Sequence, residues 1–101
     1  MRRLTLMAVL VVPLATLAPV PAAATGMMTC NALRAKWKGE PALIRKISAQ
    51  GWKVRKTKVD GGCYEVYGTD PQGNRVEAYF DPVTFEKLLV SRRGEILFRK
   101  P

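Results

Sequence analysis

Histidine is absent from the 101 residues. That removes the usual general base, the commonest zinc ligand and every Ser-His or Cys-His pairing. Only two cysteines are present, Cys30 and Cys63, and they lack the CxxC spacing of a redox or metal pair. No glycine-rich phosphate loop occurs. The stretch Asp70-Pro71-Gln72-Gly73-Asn74 lacks the alternating acidic ligands and distal Glu of a calcium loop, and reads as a β-turn. Carboxylates are scarce, 8 against 17 basic side chains, for a net charge of +9. Glu65 and Glu77 share an expected sheet face, but Lys53, Arg55 and Arg75 stand on it too. Cross-strand charge pairing therefore accounts for the two carboxylates better than acid–base chemistry does. No catalytic residue, metal site or cofactor is expected, and the chain reads as non-enzymatic.

The N-terminus has the order of a secretory signal: Arg2 and Arg3, an apolar run from Leu4 to Leu17, then small residues ending in Ala22 and Ala24. The expected signal peptide is 1–24, with cleavage after Ala24. A membrane anchor fits less well, because Pro13, Pro19 and Pro21 interrupt a run shorter than the roughly 20 residues a spanning helix needs. Acylation at Cys30 fits less well again, since that cysteine lies well past the apolar run. Loss of Arg2 and Arg3 takes the basic count from 17 to 15 against 8 acidic residues, leaving +7. So small a domain is marginal without a staple. In an oxidising periplasm or outside the cell, a Cys30–Cys63 disulfide is the expected one. It spans 33 residues, and loop closure of that length stabilises by roughly 3–4 kcal/mol.

Residues 25–40 read as a lead-in, with Leu33 and Trp37 spaced for one helical turn against the core. Residues 41–93 read as the folded domain. Pro41 suits a helix start, Leu43, Ile44 and Ile47 form an apolar stripe, and Gly51 sits at the C-terminal cap position. Alternation then marks strands. Trp52 and Val54 open the first, which slips register before Val59 and so ends early or carries a bulge. Asp60-Gly61-Gly62 is a hairpin signal. Tyr64 and Val66 point inward, and Cys63, Glu65 and Tyr67 outward. After the turn at 70–74, Val76, Ala78 and Phe80 point inward, and Arg75, Glu77 and Tyr79 outward. Asp81-Pro82 ends that strand. Residues 87–93 read as a fourth strand in preference to a helix over 84–92. The tail, 94–101, adds an edge strand or frays. The expected fold is α+β, one helix on a three- to four-stranded antiparallel sheet. Its core would hold Leu43, Ile44, Ile47, Trp52, Val54, Tyr64, Val66, Val76, Ala78, Phe80 and one of Leu88 or Leu89. Cys63 has the opposite parity to Val66, so its bridge belongs at a strand end or at a local twist.

Several of these features recur together in one family. The helix leading into Gly51-Trp52-Lys53-Val54, the strand Tyr64-Glu65-Val66, the turn Asp70 to Asn74, the strand Val76 to Phe80 and the closing Asp81-Pro82 resemble the PepSY domain. The likeness is nearest to small stand-alone PepSY-like proteins exported by Gram-negative bacteria. One departure is Phe85, which stands where the family follows Asp-Pro-x-Thr with a glycine turn. The resemblance implies a helix-plus-sheet fold in the cell envelope and a role in inhibiting or regulating a protease. It implies no catalytic residue.

The expected binding face is the outer side of the sheet, carrying Lys53, Arg55, Glu65, Tyr67, Arg75, Glu77 and Tyr79. An envelope protein such as a protease is one expected partner, met on that face or along a free edge strand. The alternative is an anionic envelope surface, lipopolysaccharide or anionic lipid, drawn by the basic clusters. Nucleic acid is disfavoured by the compartment and by the lack of an aromatic-and-basic single-strand-binding pattern.

Overall fold

The computed structural model describes Thr5, Ala8 and residues 26–101. The expected signal peptide and its cleavage site lie outside the described residues, those two positions aside. A short 3-10 turn, Arg34–Lys36, precedes helix α1, Glu40–Ala49. Five strands follow: β1 Lys53–Asp60, β2 Cys63–Thr69, β3 Arg75–Phe80, β4 Lys87–Arg92 and β5 Glu95–Arg99. They form one antiparallel meander in chain order. The fold is therefore α+β, with five strands where three or four were expected.

Helix α1 starts at Glu40, with Pro41 in its first turn, where a missing N–H costs nothing. Its end follows the expected cap. Gly51 takes φ 100, and the N–H of Trp52 returns to the Ile47 carbonyl at 3.0 Å. That return tucks Trp52 beneath the helix. Leu43 and Ile47 are fully buried, each contributing about 1.5–3 kcal/mol of burial. Glu40 ties the helix start to β1, accepting from the Thr57 hydroxyl at 2.5 Å.

The first face of the sheet holds the main core: Leu43, Ile47, Trp52, Tyr64, Val66, Val76, Ala78, Phe80, Phe85 and Val90. Trp52 meets Phe80, and Trp37 meets Tyr64, edge to face with ring centroids 5.5 Å apart. Ile44 and Val54 are only half-buried. Neither Leu88 nor Leu89 joins this core; β4 supplies Val90 instead. The reason is a register shift between Tyr79 and Phe80, which pair with Leu89 and Lys87 and leave Leu88 as the extra residue. Both leucines thereby pack on the second face.

The β1 slip is also a bulge, at Arg55 between Val54 and Lys56. The turn at 70–74 is built by Asp70, whose Oδ1 accepts from the N–H groups of Gln72 and Asn74 at 3.0 and 2.9 Å. Asp81 builds the next turn the same way, accepting from Val83 and Thr84 at 2.8 and 2.9 Å. There Phe85 adopts φ 62, a left-handed conformation a bulky residue rarely takes. Burial of the ring in the core offsets the strain, and the ammonium groups of Lys38 and Lys46 stand 5.7 and 6.0 Å from the ring centroid.

The tail is strand β5. It follows a two-residue turn in which Arg93 and Gly94 both have positive φ, 50 and 81. That geometry suits a tight hairpin, but its usual signature is Asn-Gly. Leu33 departs from expectation too: it is 68% exposed, and only Trp37 of the lead-in reaches the main core.

Candidate functional site

The outer sheet face divides into a covered half and an open half. Residues 26–30 lie across the covered half. Cys63, Tyr79 and Leu89 are buried there beneath Met27, Met28 and Cys30, with Leu88 alongside. Cys30 is bonded to Cys63, with Cα atoms 5.1 Å apart. The bridge sits at the first residue of β2, the strand-end position that the parity of Cys63 demands. The N–H of Cys30 donates to the Gly61 carbonyl at 2.8 Å.

Gly61 and Gly62 make this docking possible. A Cβ on Gly61 would stand 2.2 Å from the Met28 carbonyl oxygen, and one on Gly62 would stand 2.4 Å from that of Cys30. Both also have positive φ. Asp60, just before them, fastens the segment: its Oδ2 accepts from the Gly26 N–H at 2.6 Å and from the Tyr79 hydroxyl at 2.7 Å. The Gly26 bond, then the Tyr79 bond, hold the Asp60 carboxyl below its ordinary range. Burial, reinforced by the bond to Asp60, pushes the Tyr79 phenol up.

Tyr79 is thus 0% exposed and serves as an anchor for the lead-in, not as part of an accessible face. Glu65 is also 0% exposed, although its alternation pointed it outward. It accepts from the Tyr67 hydroxyl at 2.6 Å and faces the Lys58 ammonium at 3.4 Å. The expected Glu65 pairing with Lys53, Arg55 or Arg75 is replaced by Lys58, its direct cross-strand neighbour.

The open half keeps Arg55, Tyr67, Arg75 and Glu77 together and adds Arg93. These line a depression of about 240 Å³. Lys53 is exposed at the start of β1 and does not line it. Lys56 and Lys58 lie 5.2 and 5.6 Å from the Tyr67 ring centroid, so the surroundings are strongly positive. Sequence reasoning missed Arg93, because the turn that carries it was not recognised.

The two sheet edges differ in character. Edge strand β1 presents Lys53, Arg55, Lys56 and Lys58, which discourage pairing by another chain. Edge strand β5 presents Ile96 and Leu97, 37% and 38% exposed. A register shift between Val90 and Ser91 leaves Leu97 as the extra residue beside Phe98. Leu97, Phe98, Val90 and Trp52 line one part of a groove of about 360 Å³, and Lys87 and the turn from Asp70 to Asn74 line the rest, so the groove is mixed in polarity. Two of the large exposed apolar side chains of the described residues, Ile96 and Leu97, are therefore on one edge, and Leu97 also lines the groove.

Among the described residues, no group of three or more Cys, Asp or Glu side chains is placed to hold a metal ion. No described helix is long and apolar enough to cross a membrane. Residues 5–89 match a family model described as the peptidase propeptide and YPEB domain. No curated protein and no solved structure matches the chain. The matched span ends within β4, so the Arg93 turn and β5 lie beyond it.

Proposed function

The chain belongs to the peptidase propeptide and YPEB domain family, and from that premise we propose that it is a non-enzymatic binding module of the periplasm that regulates an envelope protease. The partner contributes an extended apolar segment that runs along β5 and sets side chains into the groove of Trp52, Val90, Leu97 and Phe98. The observation that carries this reading is the contrast between the edges. β1 is lined by basic side chains, whereas β5 exposes Ile96 and Leu97, the latter on the wall of a groove of mixed polarity. An edge of that kind is a template for strand addition, in which main-chain bonds give affinity and pockets give specificity. Ile96 and Leu97 leave apolar surface exposed on this edge, and the Lys87 ammonium stands 4.2 Å from the Phe98 ring centroid at the groove.

The test is affinity capture from envelope extract with the oxidised chain from Thr25 onward, washed at high salt, in wild type and as Leu97→Lys. A discrete peptidase retained by wild type and lost with the variant supports the reading. Equal retention by both would place the contact elsewhere. Loss of all retention at high salt would point to charge alone.

A further inference from the structure

Three arginines reach the depression on the open half of the second face from three separate places. Arg55 comes from the β1 bulge, Arg75 from the first residue of β3, and Arg93 from the β4–β5 turn. Two of the three are delivered by backbone irregularities. The bulge at Arg55 requires β1 to approach β2 very closely: a Cβ on Gly68 would stand 2.2 Å from the Lys53 carbonyl oxygen. Arg93 holds a left-handed φ of 50 where a glycine or asparagine is the unstrained choice. Backbone departures of this kind accumulate where a side chain must be aimed.

Among the described residues, none of the three guanidinium groups has a carboxylate within ion-pair distance. Glu77 lines the same depression yet neutralises none of them. Three guanidinium groups against one carboxylate leave the depression with an excess of positive charge, which favours an anion there. Guanidinium forks match phosphate oxygens in bidentate fashion, and several forks suit a group with three free oxygens better than a single carboxylate. Glu77, half-buried at the wall, accepts hydrogen bonds only, and so suits a hydroxyl beside the anion.

We propose that the Arg55–Arg75–Arg93 depression binds a phosphate monoester carried on a hydroxyl-bearing group, a phosphorylated sugar being the simplest such ligand. The ligand is either free or the headgroup of a glycolipid. This site is separate from the β5 groove and stands or falls independently of it.

The test uses the oxidised chain from Thr25 onward. Glucosamine 1-phosphate, inorganic phosphate and vesicles carrying a phosphorylated glucosamine glycolipid are titrated while the arginine Nε–H resonances are followed. Saturable shifts at Arg55, Arg75 and Arg93 are expected. Arg75→Gln or Arg55→Gln should weaken binding about tenfold or more, as loss of a charge-assisted pair does. The charge-matched Lys36→Gln, in the exposed 3-10 turn, should change it less than about twofold. Arg93→Gly should lower affinity while leaving the melting temperature unchanged or higher, since glycine relieves the positive φ. Saturation by the soluble sugar phosphate identifies a free ligand, and saturation by vesicles alone identifies a lipid-linked one. Absence of saturation with all three probes would overturn the proposal. So would equal weakening by Lys36→Gln, which would reduce the effect to net charge.

Discussion

The Tyr79 hydroxyl donates to Asp60 Oδ2 at 2.7 Å, and the same oxygen accepts from the Gly26 N–H at 2.6 Å. A residue of the central strand thereby fastens the N-terminal segment across the second face of the sheet. Because the Asp60 carboxyl titrates below its ordinary range, its contribution is fully present above about pH 4, the ordinary carboxylate value. It is lost as pH falls through the lower folded-state value. Asp60→Asn should therefore flatten the acid limb of the stability curve below about pH 4. Thermal melts of wild type and variant from pH 2 to 7 measure this, and parallel curves would contradict it.

Removing the disulfide as Cys30→Ala/Cys63→Ala should cost about 3–4 kcal/mol by loop-closure entropy. In a domain of this size each kcal/mol is about 4–8 °C of melting temperature, so a drop of more than about 10 °C is expected in a thermal scan. A drop of only a degree or two would mean that the lead-in docks without its covalent tie.

Gly61→Ala should release the lead-in while leaving the sheet paired. Its Cβ would collide with the Met28 carbonyl oxygen, and φ 61 is unfavourable for alanine. Hydrogen exchange should show the Cys30 amide, bonded to the Gly61 carbonyl, losing protection while the β2 and β3 amides keep theirs. Uniform loss across the sheet would show that the hairpin itself depends on Gly61.

Phe85 sets burial against strain. Phe85→Ala removes the ring and keeps the left-handed backbone, so it should cost about 3–5 kcal/mol. Phe85→Gly loses the same ring but relieves φ 62, and should be about 1 kcal/mol less destabilising than alanine. Urea denaturation of the pair decides it. Alanine equal to or better than glycine would mean that the turn is not strained.

The parts legible in the sequence were those with local signals. Leu43, Ile47 and Gly51 announce the helix and its stop. The alternation around Tyr64–Val66 and Val76–Phe80 announces the central hairpin, and Asp70 and Asp81 announce their turns. The fifth strand was obscured because Arg93-Gly94 lacks the Asn-Gly signature of the tight turn it forms. The covered half of the second face was obscured because Glu65 and Tyr79 read as solvated positions in an alternating strand. Glu65 is held by Tyr67 and the cross-strand Lys58, and Tyr79 is buried by residues 26–30, more than thirty positions away in the chain. Two signals pointed there. Cys63 faces away from the core, so a bond to Cys30 must bring the lead-in to that face. The Gly61-Gly62 doublet is what a second backbone at close range requires. The candidate site changed accordingly: Arg55, Tyr67, Arg75 and Glu77 stay together, Glu65 and Tyr79 are buried, and Arg93 joins.

The most direct test of β5 as the partner-binding edge is amide hydrogen exchange across the chain, with and without the captured peptidase. New protection is expected to be confined to Glu95–Arg99 and the neighbouring groove residues Trp52 and Val90. Protection centred on Arg55, Tyr67 and Arg75, with β5 unchanged, would contradict it.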